Sequence, residues 1–99
     1  HPVYPSRRHH MENDPRFADF VILQAQNAGM FLGQVPNPTS GKLEVNIKAA
    51  RSVLDSLEML ENKTMGNRTP EEDKLLQTAL LNLRSLHAEV EARGEAAGA

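Results

Sequence analysis

The sequence predicts an all-α protein with three helices, at about 15–32, 46–63 and 69–92. We expect a small bundle, or a helical hairpin with an added N-terminal helix, that is completed by oligomerisation. Apolar residues make up 39% of the chain but aromatic residues only 4%, so the core depends on aliphatic side chains that favour helices. Three segments repeat apolar residues at three- and four-residue steps, and each is bounded by helix-start or helix-stop residues.

The first helix has a clear start, because Asp14 suits the N-cap and Pro15 suits the first helical position. Gly33 is the expected stop. One apolar stripe consists of Phe17, Phe20, Val21, Ala25, Ala28 and Leu32. Four further apolar residues fall outside it, namely Ile22, Leu23, Met30 and Phe31. A helix that is apolar on more than one face needs more than one neighbour.

No charged residue occurs between Asp19 and Lys42. Amide side chains and a glycine interrupt the apolar residues, and the run Phe20 to Leu23 is far shorter than the roughly 18 to 20 residues of a membrane span. A helix lying on a membrane surface usually carries Lys or Arg on its polar face, whereas this one carries amides. We therefore predict an interface with a second copy, as a dimer or higher oligomer, or with another protein. The predicted interface residues are Phe20, Ile22, Leu23, Ala25, Ala28, Gly29, Met30, Phe31 and Leu32.

Three small residues, Ala25, Ala28 and Gly29, would let another backbone approach the first helix closely. Glycine inside a helix costs about 0.8 to 1 kcal/mol relative to alanine, and close helix contact would offset this. The alternative is that Gly29 is tolerated near the end of the helix.

The connection Val35 to Lys42 is rich in turn formers, and its two prolines and Gly41 predict an ordered corner. The run Ser40-Gly41-Lys42 is similar to part of a phosphate-binding loop. The pattern fails there, because Pro36 stands in place of glycine, Leu43 replaces Ser or Thr, and no strand precedes the loop.

The second helix begins after Asn46, a good N-cap residue, and Gly66 is its expected stop. Its Arg51 and Asp55 are spaced to form an i,i+4 ion pair. Its apolar face consists of Ile47, Ala50, Val53, Leu54, Leu57 and Leu60.

The third helix has the strongest start signal, since Thr69 and Glu72 are spaced as a capping box around Pro70. The carboxylates of Glu71, Glu72 and Asp73 are expected to complement the helix dipole, not to form an acid/base pair or a cation site. Leu76, Ala79, Leu83, Leu86 and Val90 form a seam of about two heptads, too short for an independent coiled coil, and Leu75, Leu80 and Leu81 broaden it on both sides. His87 borders the seam, and we expect a packed or surface residue, not a ligand or base.

The ends of the chain lack such patterns. Residues 1–10 read as a tag-like or disordered extension, because two prolines and three histidines precede Met11. Residues 94–99 read as a disordered tail. Between them, residues 11–93 form a single helical domain.

From Ala18 to about Val90 the chain resembles the bacterial domain of unknown function 1844 family, over about three quarters of its length. The resemblance depends on the uncharged first helix, the connection Val35 to Lys42, and the run from Lys63 to Leu76 that contains Thr69-Pro70-Glu71-Glu72. It implies a short helical protein and no established activity, cofactor or catalytic residue.

The leading functional interpretation is a non-enzymatic cytoplasmic protein that self-associates or docks on a protein partner through the first helix. No Ser/His/acid set is visible, Cys is absent, and His87 is the only histidine after His10. We assign no catalytic residue, cofactor, metal or small-molecule substrate. The alternative is an accessory subunit of a ribonucleoprotein or enzyme complex.

An RNA contact in that alternative would use the basic residues near the loop ends, which are Lys42, Lys48, Arg51, Lys63 and Arg68. The net charge of −2 and the single Tyr argue against nucleic-acid binding.

Overall fold

The computed structural model describes the backbone of residues 12–98 and the side chains of residues 12–94. It contains three helices, α1 (Pro15–Phe31), α2 (Ile47–Lys63) and α3 (Pro70–Gly98), and each helix packs against the other two. Within residues 12–98 the only extended pairing is an isolated antiparallel bridge between Leu32 and Val45. The prediction of an all-α fold with three helices is confirmed.

The first two helices begin as the sequence predicts. The Asp14 carboxylate accepts the Arg16 N–H at 2.9 Å, and Pro15 occupies the first helical position. The Asn46 side chain accepts the Ala49 N–H at 3.1 Å. Each N-cap therefore satisfies an N–H group that has no partner inside the helix.

The start of α3 is a complete capping box. The Thr69 N–H donates to one Glu72 carboxylate oxygen at 2.9 Å, and the Glu72 N–H donates to the Thr69 hydroxyl at 3.1 Å. The second Glu72 oxygen accepts the N–H of Asp14 at 2.6 Å, across 58 residues of sequence. The Thr69 hydroxyl also donates to the side-chain oxygen of Asn13. The capping box thus holds the start of α1 against the start of α3.

Glu72 is only 6% exposed, and among the described side chains no Lys or Arg forms an ion pair with it. Its charge is compensated by N–H groups at the starts of two helices. The N–H groups of Asp14 and Thr69 lower the pKa of Glu72 below its ordinary value, although burial acts in the opposite direction. From the sequence we expected the acidic cluster to complement the dipole of the third helix alone. In the structure the Glu72 carboxylate accepts N–H groups at the starts of both α1 and α3.

The core consists of two adjoining clusters. The larger one contains Val21, Ala28, Leu54, Leu57, Leu76, Leu80 and Leu83. The smaller one, near the end of α1, contains Leu32, Ala50 and Val90, with Phe31, Ile47 and Leu86 packed against it. All six residues of the predicted α2 face lie in or against these clusters, so that prediction is confirmed.

The buried stripe of α3 differs from the predicted seam. It consists of Leu76, Leu80, Leu83, His87 and Val90, and the predicted Ala79 and Leu86 are only partly buried. Both sets step by three and four residues, so the period alone cannot choose between them. The choice depends on where α1 and α2 lie around α3. His87, 8% exposed, therefore occupies a core position, and its Nε2 has no hydrogen-bond partner among the described residues.

The third helix continues beyond its predicted end at about 92 and extends to Gly98. The backbone of residues 94–98, which the sequence assigned to a disordered tail, is helical. Glu95, Ala96 and Ala97 are strong helix formers, and the single Gly94 before them does not stop the helix. The predicted extension at residues 1–10 lies outside the described residues.

The connection between α1 and α2 is an ordered corner, as predicted. The Asn37 N–H donates to the Lys42 carbonyl at 2.8 Å, and Gly41 has a φ of 73°. Gly33 ends α1 with a φ of 76°, and a Cβ atom there would lie 3.1 Å from Val45 Cγ2. Only glycine satisfies both conditions at this position. The corner returns the chain so that the Asn46 N–H donates to the Phe31 carbonyl at 2.7 Å.

We expect Thr69→Ala to lower the free energy of unfolding by about 0.5 to 2 kcal/mol, the usual loss for an N-cap. Glu72→Gln should lower it by about 1 to 3 kcal/mol, because one carboxylate oxygen that accepts an N–H is replaced by an NH₂ donor. Glu71→Gln is the matched control, since Glu71 is exposed in the same helical turn. Urea unfolding followed by circular dichroism measures all three, and equal effects of Glu71→Gln and Glu72→Gln would contradict this role of Glu72.

The depressed pKa of Glu72 also predicts a pH dependence of stability. A carboxyl with a lower pKa in the folded than in the unfolded state stabilises the fold above its unfolded value, about 4.3. This contribution to stability decreases as the pH falls below the unfolded-state pKa, and it is lost once the pH is below the folded-state pKa. The stability difference between the wild type and Glu72→Gln should therefore be constant near neutral pH and shrink in acid. A difference that grows on acidification would contradict the prediction.

Candidate interaction surface on helix α1

One side of α1 faces away from the core, and its large apolar residues are only about half covered by the described chain. Phe20 is 45% exposed, Ile22 43% and Leu23 52%. Gln26 is exposed as well, and Asn27 and Met30 are partly buried. We call this surface the outer face of α1, consisting of Phe20, Ile22, Leu23, Gln26, Asn27 and Met30.

The outer face follows from the rotation of α1 about its axis. Val21 and Ala28 are 0% and 1% exposed and point into the larger cluster. They are seven residues apart and lie on one side, because two helical turns take about seven residues. Leu23 and Met30 have the same spacing but are offset by about 200°, so they project to the opposite side. The burial of one stripe therefore places the other in contact with solvent.

The structure divides the nine predicted interface residues into two groups. Ala28 and Leu32 are 1% and 2% exposed within the chain itself, so they cannot contact a partner in this conformation. Ala25 and Phe31 pack against the two core clusters. The other five, namely Phe20, Ile22, Leu23, Gly29 and Met30, remain a predicted interface. The helical period in the sequence already placed Ala25, Ala28 and Leu32 on one stripe and Ile22, Leu23 and Met30 outside it, but it placed Phe20 and Phe31 on the wrong sides.

Gly29 borders the outer face, and a Cβ atom added there would meet no atom within 4 Å. Packing among the described residues therefore gives no reason for a glycine at this position. Two of the three residues in the predicted small-residue patch, Ala25 and Ala28, pack in or against the core of the chain itself, and only Gly29 borders the outer face.

Charged side chains lie only at the N-terminal end of this surface. Arg16 forms an ion pair with Asp14 at 2.7 Å. Through its side chain first, and then through its backbone N–H, Arg16 lowers the pKa of Asp14 to about 2. Asp19 is exposed one turn before Leu23. From Phe20 to Phe31 the helix carries amides and apolar groups alone.

Two of the five basic residues considered for RNA contact are bound within the chain. Arg51 forms ion pairs with Asp55 at 2.7 Å and with Glu58 at 3.3 Å. The side chain of Arg68, 10% exposed, forms an ion pair with Asp73 at 2.9 Å. These two guanidinium groups are therefore already neutralised by carboxylates of their own chain.

The titratable side chains of the described residues do not form a metal-binding cluster. Within residues 12–98 there is no group of three His, Cys, Asp or Glu side chains that could hold a metal ion. The two carboxyls with a shifted pKa, Asp14 and Glu72, both accept hydrogen bonds at helix starts. No helix in this range has both the length and the apolar character needed to cross a membrane.

Comparison with known families decides the classification of the chain. Residues 14–89 match the family described as Domain of unknown function (DUF1844). The chain belongs to this family. The matched range begins at the N-cap of α1 and reaches into the last third of α3, so the DUF1844 match includes the whole packed core except Val90. Comparison with curated proteins and with solved structures gives no match.

The most specific DUF1844-like run, Lys63 to Glu72, has a structural role. Arg68 donates to the Glu61 carbonyl at 2.7 Å and to the Thr64 hydroxyl at 2.9 Å, which closes the turn between α2 and α3. Thr69 and Glu72 then cap α3 and hold the start of α1. This run therefore has a role in the fold. Phe20, Ile22 and Leu23 of α1 remain about half exposed, as does Met59 of α2, and Leu81 of α3 is more exposed still.

The open space at Gly29 predicts that Gly29→Ala stabilises the isolated chain by roughly 0.5 to 1 kcal/mol, since alanine is the better helix former. Gly33→Ala is the matched contrast and should destabilise, because its φ is 76° and Val45 lies against it. Urea unfolding of dilute protein measures both changes. Destabilisation by Gly29→Ala would show that Gly29 is needed for packing within the chain.

Proposed function

We propose that this protein is a non-enzymatic interaction module that docks on a protein surface, a second copy or another protein, through the outer face of α1. The observation that carries the proposal is the exposure of three large apolar side chains, Phe20, Ile22 and Leu23, at 45%, 43% and 52% on one uncharged stretch of helix. Isolated exposed apolar residues are common, but adjacent ones mark interaction sites. Phe20 and Leu23, three residues apart, are neighbours on the helix surface, and Ile22 lies at the other edge of the outer face.

The amount of exposed surface sets the expected strength of docking. Full burial of such a side chain contributes about 1.5 to 3 kcal/mol, and the chain already buries about half of each. The three side chains together therefore have on the order of 2 to 4 kcal/mol still to gain. An affinity in the micromolar range corresponds to about 8 kcal/mol, so the rest must come from Met30, the amides and flanking surface. This small gain favours weak, reversible docking over a permanent assembly.

The non-enzymatic part of the proposal is supported by how the titrating groups are used. Asp14 and Glu72 accept N–H groups of the chain, so neither carboxylate is free to accept a substrate proton without losing a helix cap. His87 lies in the buried stripe of α3 and is 8% exposed. A catalytic side chain must reach its substrate, and Glu72 and His87 are buried in this arrangement. Asp14 is accessible, but its carboxylate is paired with Arg16.

An accessory role on a ribonucleoprotein or enzyme complex would use the same outer face. The neutralised Arg51 and Arg68 give no support to an RNA contact. We therefore place the protein–protein contact first.

The test is the replacement Leu23→Glu, which puts a charge at the centre of the outer face. Leu81→Glu on α3 is the matched control, because Leu81 is 68% exposed and lies on another helix. Sedimentation velocity from about 10 µM to about 1 mM covers the affinity expected above. The wild type and Leu81→Glu should show concentration-dependent assembly, and Leu23→Glu should remain a monomer with unchanged helix content.

A wild-type chain that stays monomeric over the whole range would eliminate self-association. Docking on another protein would then require that Leu23→Glu, but not Leu81→Glu, abolishes binding of a partner isolated with the native chain. Assembly that survives Leu23→Glu would show that the outer face is not the contact.

A further inference from the structure

We propose that His87 makes one end of the bundle sensitive to mild acid, because protonation of its imidazole opens the packing around the smaller core cluster while the end held by Glu72 stays closed. Three features of the structure support this, namely the burial of the imidazole, its place between the two core clusters, and the charges around it. The docking surface on α1 is not involved.

The His87 ring is buried on the side of its Nε2 atom. The residue is 8% exposed, and Nε2 has no hydrogen-bond partner among the described residues. A neutral imidazole can carry its proton on Nδ1, so that Nε2 presents only a lone pair. The protonated ring carries an N–H on both nitrogens, and a buried charged donor without an acceptor is strongly unfavourable. Proton uptake therefore requires that the packing around the ring opens.

His87 lies between the two core clusters. On the buried stripe of α3 it follows Leu83, which belongs to the larger cluster, and precedes Val90, which belongs to the smaller one. The smaller cluster contains three buried residues and the larger one seven. Local opening occurs where the fewest buried apolar contacts are broken. An opening at His87 therefore frees the end of α1 and leaves the larger cluster packed.

The charged neighbours of His87 on its own helix do not compensate a positive ring. Arg84, one turn before it, is itself positive and pairs with Glu58 of α2 at 3.0 Å. Glu91, one turn after it, is exposed. No ion pair among the described residues includes His87 or Glu91.

The elements packed against α3 bring no carboxylate to the ring either. α1 carries no charged residue after Asp19. On α2, Arg51 and Asp55 each follow a buried residue, but they are exposed and pair with each other at 2.7 Å. In the corner, Glu44 accepts a hydrogen bond from the Asn37 amide at 3.2 Å. A charge on the imidazole would therefore stay uncompensated in this packing.

The opposite end of the bundle stays closed over the same pH range. The N–H groups of Asp14 and Thr69 lower the pKa of Glu72, so its carboxylate remains ionised in mild acid. α1 has 17 residues and extends about 25 Å away from this contact. In mild acid α1 is therefore held at its start and released at its end.

Urea unfolding at about pH 7.5 and about pH 5.5 tests the role of the imidazole. Histidine in an unfolded chain takes up its proton at about pH 6.5. If the closed structure does not take up this proton, the ratio of folded to unfolded wild-type chain should fall about tenfold between the two conditions. His87→Leu and His87→Gln lack the titrating ring and should not show this loss. Both variants keep His1, His9 and His10, so the difference from the wild type isolates position 87.

Amide hydrogen exchange of the wild type in dilute urea at about pH 5.5 locates the opening. The amides of Leu32 and Val90 should exchange at rates that do not depend on urea, whereas those of Leu54 and Leu80 should follow the urea dependence of global unfolding. An acid-induced loss of stability that is equal in the wild type and in both variants would overturn the role of His87. The same urea dependence at all four amides would overturn a local opening at this end of the bundle.

Discussion

The Glu72 carboxylate is the constraint on which the arrangement of the helices depends. Its two oxygens accept the N–H of Thr69 at 2.9 Å and the N–H of Asp14 at 2.6 Å. A carboxylate that is 6% exposed needs such donors, because a buried charge without hydrogen bonds is strongly unfavourable. The same group that starts α3 therefore also holds the start of α1 against it. A small chain with few aromatic residues gains a defined packing from this polar contact as well as from its aliphatic core.

The packing of α1 separates its apolar residues into an inward and an outward set. Val21 and Ala28 enter the larger cluster, while Leu32 enters the smaller one and pairs with Val45 in the corner. α2 and α3 carry ion pairs on their outward sides, such as Arg84 to Glu58 at 3.0 Å. The outer face of α1 has no charge and keeps its three large apolar side chains about half exposed. Packing within the chain accounts for the inward stripe of α1, and the outward one is the surface that we propose for docking.

Local signals in the sequence were sufficient for the helix starts. The Asp14, Asn46 and Thr69 caps depend on side chains within three residues, and all three form as predicted. Which residues each helix buries against the other helices could not be predicted from such local signals. The buried stripe of α3 contains Leu80 and His87 in place of Ala79 and Leu86, because the positions of α1 and α2 decide it. For the same reason the sequence grouped Ala28 and Leu32 with the exposed residues of the interface, although the chain buries both. The hydrogen bond from the Asp14 N–H to Glu72 joins residues that are 58 apart in the sequence, so no local sequence pattern predicts it.

The most direct measurement of the central claim is a dilution series of ¹H–¹⁵N correlation spectra of the wild-type chain. If the outer face of α1 is the docking surface between copies, the amide signals that shift with concentration should be those of Phe20, Leu23, Gln26, Asn27 and Met30, with α2 and the exposed side of α3 around Leu81 unchanged. Spectra that do not change between about 10 µM and about 1 mM would contradict docking between copies. Shifts centred on α2 or α3 would contradict the outer face of α1 as the contact.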